Sequence, residues 1–342
     1  MKFLILSALW LLHSYIAISQ SQKAEELQIL LIGTSHQAGA KTKQDTSAIM
    51  SAVRIFQPDA IAVEIIPAWD TLSLRNSRSK FIYLSDSILK ANKWGKEFLY
   101  ERINALNTEI SLQPGRPPLY DSLAFYYLLT GDVYGNSAYN WFIAKKISEN
   151  NPLWQSLFSK TPFYKWTENF LQGSEFNTLI FPFAFQANYK YLYPVDDMSE
   201  ALLAKEYQKK TMNSLVFGIL KLNFKAFKVL RMLKRQKKEY AEAEKKGKAY
   251  ELVNTEKFQQ QVAELFDNIY PKWSQSKWAK LVQLNWNQRN DRIAKRIISI
   301  SHQNPKIKKI VLFIGAAHLT ALKRTLYKAE KISVNTLNNI KK

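Results

Sequence analysis

The sequence predicts an α/β fold: a mostly parallel sheet flanked by helices, carrying a large helical insertion over about residues 70–285. Three observations carry this expectation. Leu27–Ile32 and Ile310–Ile314 are apolar runs, each closed by a glycine, which is the pattern of strands buried on both faces. Strand and helix patterns alternate at both ends of the chain. Between them lies a long stretch with helical periodicity, rich in Trp, Tyr and Phe.

The elements follow in order. After the first strand, Asp45 or Thr46 can cap a helix with Ile49, Val53 and Phe56 on one face. Pro58-Asp59 ends that helix, and Ala60–Ile66 reads as a second buried strand parallel to the first. From Trp69 to Tyr189 the chain is helical, broken at Pro114-Gly115-Arg116-Pro117-Pro118. Tyr191–Val195 reads as a third strand, which Pro194 confines to an edge. Helical periodicity returns from Ser199 to about Gln283. A helix from Asn287 to His302 then leads to the strand Ile310–Ile314, a helix from His318, and a last strand at Ile332–Val334.

Ahead of this body, residues 1–19 read as a secretory signal peptide. Lys2 is followed by an apolar run from Phe3 to Ile18, and Ala17-Ile18-Ser19 places small residues where a signal peptidase reads. The expected product is exported, periplasmic or secreted, with residues 20–342 as one α/β domain. The chain has no cysteine, so disulfides, thiolate metal sites and cysteine nucleophiles are excluded.

The formal charge is +21, densest between Lys221 and Lys248. There Leu222, Phe224, Phe227, Val229 and Leu230 interleave with lysines and arginines at helical spacing. This reads first as a surface helix with a solvated basic face, and it also suits an anionic membrane surface. No nucleic-acid recognition motif accompanies the charge, so a nucleic-acid partner is not expected.

The chemistry concentrates in two matching turns, Gly33-Thr34-Ser35-His36 and Gly315-Ala316-Ala317-His318. The chain has four histidines, and two of them stand three residues after a strand-ending glycine. Carboxyl ends of parallel strands are where ligands bind. A glycine there can turn sharply, and the small residues after it leave room for a substrate. His302, near a helix end, is accounted for by the helix dipole. Glu64 interrupts the apolar run Ile61–Ile66, and a buried carboxylate needs a partner or a cation. Its strand end should lie beside His36. Asp196 and Asp197 end the third strand; they can join the site or serve an ordinary turn. Arg289 can pair with Glu64 or hold an anionic transition state, and Asn290 can cap the helix before the last major strand.

Gly33-Thr34-Ser35-His36, Val63-Glu64, Arg289-Asn290 and Gly315-Ala316-Ala317-His318 together resemble the TraB/GumN/Tiki superfamily, related in fold to erythromycin esterase and ChaN. The resemblance covers the two ends of the mature chain and not its long middle. It implies one site that different members use differently. Tiki-like members are metal-dependent proteases. Erythromycin esterase-like members activate water with a histidine and a glutamate. ChaN-like members bind haem. The expectation is a hydrolase acting on a peptide, ester or other small-molecule substrate, with catalytic groups His36, Glu64, Arg289 and Asn290. His36, Glu64 and His318, with Asp196 or Asp197, would hold a divalent cation (Mn, Co, Zn or Fe). The same cleft without metal would serve a His/Glu esterase, and without turnover a haem- or peptide-binding module.

Overall fold

Strands apolar at every position must be covered on both faces, and this chain supplies helices to both. In the computed structural model, which describes residues 26–35, 45–76, 80–149, 174–220, 224–264 and 277–340, the chain opens with β1 (Leu27–Thr34), α1 (Ser47–Phe56) and β2 (Ala60–Val63). Helices α2 (Pro117–Thr130) and α3 (Ala138–Ser148) precede β3 (Leu192–Pro194). Then come α4 (Phe224–Lys245), α5 (Lys277–Gln303), β4 (Lys309–Gly315), α6 (Leu319–Leu326) and β5 (Ile332–Thr336), with further helices between. The strands form one parallel sheet in the order β3-β2-β4-β1-β5.

Alternate side chains of the strands divide the core in two. Leu30, Ile32, Ile61, Val63, Val311 and Phe313 pack under α1, α2 and α3 on one face. Ile29, Leu31, Ala62, Ile310, Leu312 and Ile314 pack under α5 and α6 on the other, through Ile293, Ile297, Ile300, Leu319, Leu322 and Leu326. The period of two along each strand and of 3.6 along each helix produces this three-layer arrangement directly.

Several sequence expectations change in detail. β4 inserts between β1 and β2, so the first β-α-β unit is parallel but its strands are not neighbours. β2 ends at Val63, and Glu64 follows it in a non-strand turn whose amide still bonds Phe313 O. α5 begins at Lys277, ten residues before the expected start, so Arg289 and Asn290 stand in its middle and Asn290 does not cap it. Asp45 does serve the start of α1: its Oδ1 accepts the Ser47 amide at 2.8 Å. β3 is an edge strand, paired only with β2, as Pro194 requires. The segment 1–25, with the expected signal peptide, lies outside the described residues, and no described helix is long and apolar enough to cross a membrane.

The edge strand is held by a side chain. Asn136, fully buried, donates from Nδ2 to Leu192 O at 2.9 Å and accepts the Leu192 amide on Oδ1 at 2.8 Å, as a partner strand would. Its Nδ2 also donates to Asp132 Oδ2 at 2.7 Å, and Asp132 Oδ1 accepts the Gly135 and Asn136 amides that open a π-helical turn, Val133–Ser137. Asn136→Ala leaves two backbone groups and Asp132 short of partners. It should cost roughly 2–4 kcal/mol in urea denaturation at neutral pH.

Burial pushes the Asp132 carboxyl up to about 6, against the opposing hydrogen bonds of Asn136 and Gly135. The folded state therefore keeps a proton that the unfolded chain has lost by its ordinary value of 3.8. This contribution is fully present below that value and is lost as pH rises through about 6. Stability measured from pH 4 to pH 7 should therefore decline in wild type relative to Asp132→Asn. A constant difference between the two across that window would show that Asp132 does not titrate there.

Candidate functional site

All five described strands run parallel, so their carboxyl ends share one edge, and the polar residues cluster there. β1 and β4 are neighbours in register, with Gly33 opposite Ile314 and Thr34 opposite Gly315. From β1 the chain leaves through α1 on one face; from β4 it leaves through α6 on the other. The two departures diverge onto opposite faces. Gly33–Ser35 and the Gly315–His318 turn lie side by side there.

Glu64 is the centre. Its side chain is 9 % exposed. Oε2 accepts the Gly315 amide at 2.6 Å. Oε1 accepts from Arg289 Nη2 at 3.1 Å and lies 3.2 Å from His318 Nε2. Arg289 also donates from Nε and Nη2 to Asp196 Oδ1, at 3.0 and 2.7 Å. Burial works against the Arg289 charge, yet Asp196 and Glu64 more than offset it and hold the guanidinium above its ordinary value.

His318 ends a short 3₁₀ turn and is buried. Its hydrogen bonds determine where its protons lie. Asn290 Nδ2 donates to Trp286 O, one helical turn back, at 2.7 Å. A carbonyl accepts only a donor, so Asn290 Oδ1 is the atom that faces His318 Nδ1, at 2.8 Å. Nδ1 therefore carries a proton. Nε2 lies 3.2 Å from Glu64 Oε1, so imidazole and carboxylate face each other as a buried pair. Trp286 also stacks its ring on the imidazole, with centroids 4.3 Å apart and planes inclined by 30°.

A single face of α5 supplies the cations around this centre. Arg289, Arg292 and Arg296 stand three and four residues apart. Arg292 Nε lies 2.9 Å from Asp197 Oδ1. Arg296 Nη2 donates to Asp197 Oδ2 at 2.8 Å, and Arg296 also bonds Asp70 and the Asp196 carbonyl. Its guanidinium lies over the Trp69 ring, 4.8 Å from the centroid. Despite burial, the Ser199 hydrogen bond and the two arginines hold Asp197 below the usual carboxylate range.

The glycines work differently from the expectation. Neither Gly33 nor Gly315 has positive φ. A Cβ on Gly33 would stand 2.8 Å from Leu319 Cδ1 and 3.3 Å from Ala316 Cα, so glycine here permits close approach of the two turns. Ala316 fills that contact instead of leaving room for a substrate. Asn254 clasps Gly33 from the other side, accepting its amide at 2.8 Å and donating to its carbonyl at 3.0 Å.

The structure thus brings Glu64, Asp196, Arg289, Asn290 and His318 together. Asp197 is one step away, on Arg292 and Arg296. His36 lies outside the described residues, which extend to Ser35. A hollow of about 210 Å³ opens beside the cluster, lined by Glu64, Asp196, Ile65, Leu74, Tyr134 and Phe176 among others. A second, of about 480 Å³, lies against Trp286, Arg289 and Arg292.

Among the described members of the expected metal set, the carboxylates are paired with arginine. Arg289 occupies the facing oxygens of Glu64 and Asp196, so its positive charge stands where a metal would bind them. No three described His, Asp or Glu side chains converge as ligands. His318 does not fit haem ligation either: Nδ1 and Nε2 both have partners, and its ring is covered by Trp286.

Sequence reasoning missed Trp286, Asn254, Arg292, Arg296 and Asp70. The spacing of Trp286, Arg289, Asn290, Arg292 and Arg296 on one helix face was a legible signal. Asn254 carried none. Arg289→Leu strands two buried carboxylates. It should destabilise the protein by roughly 3 kcal/mol in chemical denaturation, and a change under 1 kcal/mol would mean the network is solvated.

No protein-family model, curated protein or solved structure matches the chain.

Proposed function

We propose that the protein is a metal-independent hydrolase of esters or lactones, of the TraB/GumN/Tiki kind and with an erythromycin esterase/ChaN-like fold. The observation that carries this reading is the Glu64–His318 dyad, 3.2 Å from Oε1 to Nε2, with its proton arrangement imposed by Asn290. It sits at the switch point of a parallel sheet, beside a largely apolar hollow that suits a small acyl group.

The roles follow from proton bookkeeping. In this reading the dyad carries a proton at rest and acts as the acid that protonates the leaving oxygen. His36, expected beside it from the sequence, takes the proton of the attacking water. Arg289 pairs with Glu64 and places positive charge next to the developing oxyanion. Asn290 and Trp286 are positioning residues, one for the tautomer and one for the ring plane.

The test is turnover of short-chain aryl esters and lactones by purified protein in excess chelator. Turnover should persist there. Glu64→Gln and His318→Gln should each lower kcat about a hundredfold or more, with unchanged circular dichroism. His36→Ala should do the same. Activity abolished by chelation and restored by Mn or Zn would overturn the metal-free reading. Full activity in Glu64→Gln would overturn the dyad.

A further inference from the structure

The charge excess plays no part in hydrolysis, and it has a distinct place in the fold. α4 has 22 residues, about 33 Å of helix. Along it Arg231, Lys234, Arg235, Lys237 and Lys238 are exposed, and Lys245, Lys246 and Lys248 continue the basic run beyond its last turn. Residues 231, 235, 238, 242 and 245 alternate spacings of four and three, so they form one straight stripe. Glu239 beside the stripe reaches Arg235 at 3.0 Å, and Glu242 within it lies 3.8 Å from Lys238. Eight cations against three carboxylates between 231 and 248 leave the stripe strongly positive.

The opposite face of α4 is packed. Met232, Leu233, Gln236, Tyr240 and Ala243 are half-buried. Tyr240, two residues past Lys238, is turned by about 200° from it. Its hydroxyl lies beside Ser35, the residue that follows β1, in the first of the two Gly-x-x-His turns. At the end of the helix, Gly247 O accepts the Asp45 amide at 2.7 Å, where the chain enters α1. The helix is thus fastened to the strand-end edge on one side and presents cations on the other.

We propose that α4 docks the protein on an anionic phospholipid surface. The cationic stripe faces the headgroups, and the strand-end edge lies one helix diameter behind, about 10 Å. The driving force is charge attraction to the headgroups, which each lysine or arginine strengthens about fivefold. Binding of this kind is screened by salt. The inference stands apart from the hydrolytic reading, since its readout is binding.

The experiment uses the full mature chain and phosphatidylcholine vesicles, with and without phosphatidylglycerol. The protein should sediment with the anionic vesicles only, and release at about 1 M salt, where the screening length is about 3 Å. Arg231→Gln, Lys234→Gln, Lys237→Gln and Lys238→Gln combined should weaken binding at least a hundredfold. A control set removes the same charge elsewhere, at the exposed Lys93, Lys96, Lys306 and Lys328. It should leave binding within about threefold.

Because the chain has no cysteine, a single introduced one can carry an environment-sensitive dye. Glu242→Cys, on the stripe, should report transfer to the headgroup region. Glu330→Cys should not, since it lies at the strand-start edge, beside Lys331, whose carbonyl accepts the Leu27 amide. Equal weakening by the two charge sets, or equal responses from the two dyes, would overturn docking through α4. So would binding that survives high salt or extends to neutral vesicles.

Discussion

Carboxylates at the ends of neighbouring parallel strands create the constraint on which the rest of this structure depends. Glu64 and Asp196 follow β2 and β3, and both are nearly buried. Leaving them there without cations would cost several kcal/mol each. One helix face supplies the answer. Arg289, Arg292 and Arg296 of α5 reach Glu64, Asp196, Asp197 and Asp70. A shift of α5 by one residue would turn these arginines by about 100° and break all of the pairs at once. The same shift would expose Ile293, Ile297 and Ile300, which seal that face of the sheet. Electrostatics and packing therefore specify one register together.

The dyad depends on that register. Trp286 and Asn290 are one turn apart on α5, so the Trp286 carbonyl orients the Asn290 amide and its ring stacks on the imidazole that Asn290 addresses. The hydrogen bonds from Trp286 O through Asn290 to His318 Nδ1 have one consistent assignment of donors. A carboxylate held by a guanidinium and a backbone amide, beside an imidazole with a protonated Nδ1, is an unusual environment.

Topology brings the two turns together. The strand order places β4 between β1 and β2, and the chain departs from β1 and β4 onto opposite faces. The two glycine turns lie closely packed at that divergence, Gly33 against Ala316 and Leu319. Asn254 and Tyr240 hold the β1 end from behind, so the helices of the long middle segment complete the site even though their sequence gave no warning of it. On the far side of the same helix the basic stripe faces solvent, and this connects the charge of the chain to its strand-end edge.

The sequence by itself determined the elements whose signals are local. Apolar runs ending in glycine specified β1 and β4, Pro194 specified an edge strand, and one charged residue in an apolar run marked Glu64. The scarcity of histidine singled out His318. What only the tertiary structure decided is non-local. The insertion of β4 between β1 and β2, the true start of α5, and the clasp of Asn254 on Gly33 depend on contacts between distant segments. So do the ion pairs that Glu64 and Asp196 make with Arg289. A carboxylate in a strand states that a partner is needed, but the partner is chosen by whichever helix face packs above it, and here that face carries arginine.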